Sequence, residues 1–406
     1  MPLTKVSFSV IQVANNVTST TVGNTTSIPS FTFDQNGVIT SASNTAISGA
    51  GITANTVANS AFQAGSIENY SRATGLLSGM RNRIINGAMV IDQRNAGANV
   101  TITTDGTYTL DRWVAGRSQS SKFSVQQDSS ANTVAGFTSS LKVTSLSSYS
   151  ITSTDFFTIS QYIEGLNSIA DLNWGTANAK TVTLSFYVRS SLTGTFGGSL
   201  QNSSYNRSYP FTYTISVANT WEQKTITIAG DTSGTWLATN GIGIVVNFGL
   251  GIGSTYSGTA GAWAGSNFFS ATGATSVVGT NGATLYITGV QLEVGSSATG
   301  FEYRQYGTEL VLCSRYYQDF TDNGSNGYAG FFTGYVASGG YNISMYTSFP
   351  VSMRTAPTVT VSGWAAGLNP SPLAGKTGTA LYYAAGSGGL FTFRSGAGAF
   401  NASAEL

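Results

Sequence analysis

Histidine does not occur in this 406-residue chain. With it go Ser-His-Asp and Cys-His catalysis, histidine-ligated metals and a histidine pH switch. The single cysteine, Cys313, can form neither an intrachain disulfide nor a structural zinc site nor an iron–sulfur cluster. Between Leu312 and Ser314 it reads as a small buried apolar residue. Charge is scarce: 9% of residues carry it, against roughly 25% in ordinary soluble domains, so the surface has to be built from Ser, Thr, Asn and Gly. The 18 basic and 17 acidic side chains nearly cancel, leaving no field to draw nucleic acid or anionic lipid, and neither is expected as a partner. No apolar run approaches the ~18 residues of a membrane span. The opening MPLTKVSFSVIQV has no basic start, apolar core and small-residue cleavage site of a secretory signal, so assembly in a cytoplasm is expected.

Catalysis in such a chain would have to rest on carboxylates, as in glycoside hydrolysis, where two acids flank the scissile bond ~5 to ~9 Å apart. Asp111, Asp155, Glu164, Glu222, Asp231, Glu293 and Glu302 are the plausible members, and no local pairing singles any out. No enzyme is expected; a polysaccharide depolymerase using a pair such as Asp155 and Glu164 stays open as an alternative. The glycines of Gly241-Ile-Gly-Ile sit in a strand pattern and precede no Gly-Lys-Ser/Thr, so they form no phosphate loop. No cofactor is expected, and no metal, since no ligand set can be read from spacing.

Along the chain, residues 1 to 80 carry almost no apolar periodicity. They are either a flexible linker or strands ordered by identical neighbours, each copy lending apolar residues to a shared axis. Within them, Phe31 and Phe33, a turn at Asp34-Gln35-Asn36-Gly37 and a return through Val38, Ile39 and Thr40 predict a hairpin. Ile67, Tyr70, Thr74 and Leu77 allow a short helical neck. From Arg81 onward, strict period-two alternation takes over. Val182, Leu184, Phe186 and Val188 share a face; so do Phe211, Tyr213, Ile215 and Val217, and Ile242, Ile244, Val246, Phe248 and Leu250. That pattern predicts antiparallel strands with one buried face, stacked as a sandwich, with Gly251 to Gly282 as the longest loop. In TLYITGVQLEV, alternation places Tyr286, Thr288, Val290, Leu292 and Val294 on one face and Leu285 and Ile287 on the other. Trp113 and Trp221 read as core.

Three sets of residues carry a resemblance. Gly23 to Ser43 resembles the repeats of thin bacteriophage tail-fibre shafts. The ordered set Asn82-Arg-Ile-Ile-Asn-Gly87, Asp111-Arg-Trp113, Gln161-Tyr-Ile-Glu-Gly165, Thr183 to Arg189, Thr220 to Lys224 and Gly289-Val-Gln-Leu-Glu-Val294 resembles the carbohydrate-binding-module-like jelly roll of phage tail-fibre and other virion surface proteins. In that family the segment holding Asn-Gly lies beside the closing Val-Gln-Leu-Glu strand. Phe349 to Thr360 resembles a strand of the C-terminal β-domains of such fibres. The resemblance also allows a structural cation held by backbone carbonyls and an acid such as Asp92 or Glu293.

The resulting expectation is an all-β chain: an antiparallel jelly-roll sandwich with an extended N-terminal shaft and attachment region and a small C-terminal β-domain. The divisions fall at 1–80, 81–305, a connector at 306–318, and 319–406. In the connector region Phe301, Tyr303, Tyr306 and Leu310 are expected to fix how the terminal unit is carried. The resemblance implies a homotrimeric virion tail fibre that meets other tail proteins through its N-terminal region and attaches to a host cell-surface glycan. A head or tail decoration protein with no receptor is the structural alternative. Sugar is held by aromatic rings and neutral hydrogen-bonding groups. Tyr256 and Trp263, in the long loop, and Trp364, Tyr382 and Tyr383, in the terminal β-domain taken as the candidate receptor-binding tip, are the candidate glycan contacts.

Overall fold

A computed structural model describes residues 27–35, 37, 39–46, 80–130, 133–320, 330–336, 342–361, 373–384, 389–394 and 400–406. The neck expected between Ser66 and Met80 falls outside them. The chain divides into two compact units, Met1–Leu77 and Ser78–Leu406.

In the second unit two six-stranded antiparallel sheets form a jelly-roll sandwich. One runs, in spatial order, Ser208–Ile215, Gly194–Gln201, Ile242–Ile252, Phe156–Glu164, Trp113–Arg117 and Thr107–Tyr108. The other runs Glu222–Ile228, Val182–Ser190, Thr284–Val294, Ser140–Ser145, Phe123–Asp128 and Val100–Thr101. Between them lies a core in which Val182, Leu184, Phe186, Val188, Ile244, Val246, Phe248 and Leu250 are all buried, as their alternation requires. Phe211, Tyr213 and Ile215 join it, but Val217 lies past the end of its strand and is exposed. Trp113 is core; Trp221 is only half-buried and packs edge-on against Tyr286, so its reading as core is corrected.

The Thr284–Val294 strand departs from its simple alternation for a definite reason. Its pairing with Val182–Ser190 slips between Thr288 and Gln291, where Gly289 and Val290 oppose one residue, and Gly289 sits at φ +61°. This bulge inverts the phase of the pleat. Leu285 and Ile287 before it and Val290 and Leu292 after it therefore all reach the same core.

The bulge also receives the Asn82–Gly87 segment, which is not a strand. The Arg83 amide donates to the Leu292 carbonyl (3.0 Å) and the Val290 amide to the Gly87 carbonyl (2.9 Å). An asparagine side chain completes the seam, and a second ties the segment to its surroundings. Asn82 donates its side-chain amide to the Val290 carbonyl (3.0 Å) and accepts the Ile84 and Leu292 amides (2.9 and 3.1 Å). Asn86 bridges Ile91 and Asp111 in the same way. A side chain at position 87 would strike the Val290 carbonyl, which is why glycine stands there.

The expected connector is a helix, Tyr306–Ser314, followed by the strand Tyr317–Asp319. Its inward face carries Glu309 and the buried Cys313; Glu309 accepts the Asn86 amide and pairs with Arg304. Phe301 and Tyr303 pack against Phe137, but Tyr306 is 63% exposed, so the expectation that it helps carry the terminal region is corrected. Arg315 does part of that work through Glu164 (2.8 Å), and Tyr316 OH donates to the same carboxylate (2.8 Å).

Beyond residue 317 the described residues form small antiparallel sheets, with a core of Phe349, Met353, Val359, Ala402 and Ala404. Only Thr358–Val361 of the Phe349 to Thr360 motif region is strand; Phe349 and Met353 fill the core, and Arg354 donates to the Ala404 and Glu405 carbonyls (both 2.9 Å). Glu405 in turn pairs with Arg94 and Arg112 of the sandwich.

In the first unit the hairpin forms as expected, with strands Ser27–Phe33 and Ile39–Ala46 and the Gly37 amide donating to the Asp34 carbonyl (3.0 Å). Its register sets Phe31 opposite Ala42 and Phe33 opposite Ile39, and Phe31, Phe33 and Ile39 are exposed.

Candidate functional site

The alternation that drives Phe157, Ile159 and Ile163 into the core turns Phe156, Thr158, Ser160 and Tyr162 to the outer face of their sheet. In the neighbouring strands Val245 and Asn247, and then Ser199 and Gln201, point the same way. Register brings Ser160 opposite Asn247 and Asn247 opposite Ser199. Their side chains form one network. Asn247 accepts the Ser160 hydroxyl (2.6 Å) and donates both amide hydrogens, to Ser199 (3.0 Å) and Gln201 (2.7 Å). Gln201 donates onward to Asn267 of the long loop (2.7 Å). Ser160, Ser199, Gln201 and Asn247 are all buried, and partners of this quality offset the desolvation that burial imposes. The result is a rigid, neutral, hydrogen-bonding floor.

Aromatic rings stand at both ends of it. At one end Phe156 stacks on Phe269, with centroids 5.2 Å apart, and Tyr256 braces both from behind (5.7 and 5.5 Å). At the other end are Tyr162 and Tyr205. Tyr205 occupies the tip of the turn joining Gly194–Gln201 to Ser208–Ile215, at φ +53°, a conformation that non-glycine residues adopt at a cost. Asn202 holds that turn: its carbonyl oxygen accepts the Asn206 and Arg207 amides (both 3.1 Å), and its NH2 donates to Asn206 Oδ1 (2.8 Å) and the Thr235 carbonyl (3.1 Å). Burial, with the Tyr205 hydroxyl alongside, pushes the Tyr162 phenol well above its ordinary range, so it stays a neutral donor.

Floor and walls enclose a groove of about 240 Å³. Among its described lining residues Asp105 is the one charged group, and it accepts the Arg117 amide (2.8 Å). Stacking faces over neutral donors and acceptors suit a polar, uncharged ligand with flat apolar patches.

Of the residues singled out from sequence, Tyr256 and Trp263 lie outside the lining of the groove. Tyr256 supports the groove wall without lining the groove. Trp263 is half-buried in a separate cluster with Trp174 (5.3 Å), Trp236 (5.4 Å) and Tyr209 (5.3 Å), its indole N–H donating to the Ala229 carbonyl (2.8 Å). Tyr382 and Tyr383 lie in the strand Gly378–Ala384, paired with Ser344 and Ile343; Trp364 lies outside the described residues.

Asp155 and Glu164 stand at opposite ends of the strand Phe156–Glu164, about 30 Å of extended chain at ~3.3 Å per residue. That is several times the ~5–9.5 Å across which two carboxyls flank one glycosidic bond. Burial tends to raise the Asp155 carboxyl, but hydrogen bonds from Thr152, Ser118 and Tyr149 prevail and hold it down at about 2. The carboxylates of Asp92 and Glu293 are engaged with turn amides, those of Asn95 and Gly97 for the first (3.0 and 2.7 Å) and Thr299 for the second (2.8 Å). No group of three or more potential ligands occurs among the described residues. Burial pushes the Cys313 thiol up, removing it as a nucleophile.

No protein-family model and no curated protein matches this sequence. Among solved structures, the chain is similar to the enzymatically active domain of tailspike protein 4 of bacteriophage CBA120, at 13% identity and a TM-score of 0.30, over 54% of this chain and 22% of that one. It is also similar to a family 11 carbohydrate-binding module from Clostridium thermocellum, seen with a mixed-linked tetrasaccharide (11% identity, 52% of this chain, 100% of that one, TM-score 0.26). An N-terminal cellulose-binding domain from Cellulomonas fimi is a third (15%, 51%, 99%, TM-score 0.22). Identities this low do not say which residues bind what.

Proposed function

We propose that this protein binds a neutral glycan in the groove over Ser160 and Asn247, and that it does so as a bacteriophage tail fibre attaching the virion to its host surface without cleaving the glycan. The observation that carries the binding is the buried amide and hydroxyl floor lying between aromatic rings with a single carboxylate at the rim. The fibre assignment rests on the resemblance of Gly23 to Ser43 to shaft repeats and on the hairpin itself. Two strands that leave Phe31, Phe33 and Ile39 exposed are marginal alone in water. Burying that face against the same face of two further copies stabilises it, which makes the working form a homotrimer, joined to other tail proteins through the N-terminal region. On this reading the sandwich, rather than the terminal β-domain, holds the receptor.

Glycan-array binding with the full chain tests it. Wild type binds neutral glycans, and Asn247→Leu, which keeps the volume and removes the amide, loses that binding while the fold, followed by circular dichroism, survives. Unchanged binding by Asn247→Leu would put the receptor site elsewhere, the terminal domain first. A stable monomer in light scattering would remove the trimer, and wild type that binds no cell and no glycan would favour a decoration protein.

A further inference from the structure

The groove is closed on one side, and glycines permit the closure. After Ile252 the chain passes round the free edge of the sheet. The Gly261 amide donates to the Pro210 carbonyl (2.9 Å), and Ser208 and Ala264 exchange backbone hydrogen bonds (3.0 and 2.8 Å) as an isolated antiparallel bridge. It then turns onto the outer face, where the fully buried Ser270 rests over Gly194–Gln201 and Ile242–Ile252. The approach is close because the residues beneath are glycine. A Cβ on Gly249 would stand 2.8 Å from Ser270 Oγ, and one on Gly197 would strike the same hydroxyl. The Thr275 amide fixes the far end of the covering segment to the Thr195 carbonyl (2.7 Å), and the Gln201–Asn267 bond (2.7 Å) fixes its near end to the groove floor. A ligand lying on Ser160 and Asn247 therefore meets Asn267 and Phe269 where a cleft crossing the whole sheet would continue.

The opposite side is bordered by glycines. There the floor ends at Gly116, and beyond it stands the Asp105-Gly106 turn, with nothing within 4 Å of a Cβ placed on Gly106. The volume of about 240 Å³ also lies below the ~300–1,000 Å³ of pockets that enclose a drug-sized molecule.

Building on the glycan reading above, we propose that the groove is a blind pocket for the end of a neutral glycan chain. It takes the terminal one or two sugar residues, which enter past Gly106 and Gly116, and it does not take an internal stretch of polymer. A fibre of this kind counts chain ends on a surface rather than polymer mass.

The test titrates the full chain with a panel of neutral polysaccharides presenting terminal hexose, 6-deoxyhexose and N-acetylhexosamine. Each is used intact and after limited hydrolysis, at equal total mass. End recognition predicts that binding sites per gram rise in proportion to the number of chain ends. Sites per gram that stay constant while the polymer binds overturn end recognition and leave glycan binding standing. No binding to any member, intact or cleaved, removes the glycan reading and this proposal together. The double variant Asn267→Gly/Phe269→Gly, which opens the wall, is expected to add binding that follows polymer mass; the hydrolysis series on wild type decides the matter even if that variant does not fold.

Discussion

Two clusters of aromatic rings flank the long loop Gly251–Gly282, and they differ in what lies against them. In the first, Trp174, Trp236 and Trp263 meet edge to face at 4.7–5.4 Å. Every indole N–H there has a partner: Lys180 for Trp174 (2.8 Å), Ser233 for Trp236 (3.2 Å) and Ala229 for Trp263 (2.8 Å). Trp174 and Trp236 are buried. These rings are satisfied by one another and support the edge of the sandwich. In the second, Phe156, Phe269, Tyr162 and Tyr205 border an open volume over polar groups. Aromatic composition was the same signal for both. What distinguishes a buttress from a binding wall is whether the faces of the rings are already occupied.

The largest effect expected from this contrast is on stability. Trp236→Ala should destabilise the sandwich by about 3–5 kcal/mol, as truncation of a buried tryptophan does, while the fraction that remains folded binds glycan with unchanged affinity. Thermal unfolding and titration of the same sample check both halves, and an affinity lost in step with stability would erase the distinction.

A second test separates scaffold from site by pH. Burial pushes the Asp111 carboxyl up to about 6, although Gln93 donates two hydrogen bonds to it (both 2.7 Å). A carboxyl raised above its unfolded value contributes stability that is fully present below pH ~4 and is lost as pH climbs through 6, at most about 3 kcal/mol. Asp155, held at about 2, works in the other sense: its contribution is present above pH ~4 and fades as pH falls toward 2. Melting temperature should therefore decline from pH 4 to pH 7, and Asp111→Asn should flatten that decline. Glycan affinity should stay level from pH 6 to 8, because Tyr162 remains protonated throughout.

The smallest effect is the most selective. Tyr205→Gly removes one ring of the binding wall and relieves a positive φ, so affinity should drop about tenfold, ~1.4 kcal/mol, with melting temperature unchanged or slightly higher. A clear loss of stability without loss of affinity would make Tyr205 another buttress.

Much of the fold was legible because alternation is local. Phe31 to Ile39 forms the hairpin, and the strands at 182–188 and 244–250 bury the faces read for them, with Ile242 half-buried at the strand's start. Where the reading failed, a non-local contact had intervened. The phase of Thr284–Val294 inverts because Gly289 and Val290 share one partner in a strand about a hundred residues earlier. Trp221 stands at a motif position that suggests core, but its ring is half-buried against Tyr286. The Asn82–Gly87 segment meets the closing strand as its resemblance implied, yet through two backbone hydrogen bonds and the Asn82 side chain rather than as a paired strand.

The groove itself left only a faint trace in the sequence. Thr158, Ser160 and Tyr162 carry no motif of their own, and Asn247, hydrogen-bonded to Ser160, lies 87 residues further on. Nothing local distinguishes a polar face that meets water from one that is buried beneath a loop. Composition alone excluded histidine chemistry and an intrachain disulfide, because those need residues that the chain lacks or has too few of. Pattern alone set the antiparallel sandwich, because a period of two admits one buried face per strand. Only the tertiary structure decided which polar face became a floor, which rings stayed uncovered and which side of the groove is shut. Those depend on where the segment 253–275 comes to rest, and that is settled by contacts with Gly197 and Gly249, which lie far from one another in the chain and adjacent in the sheet.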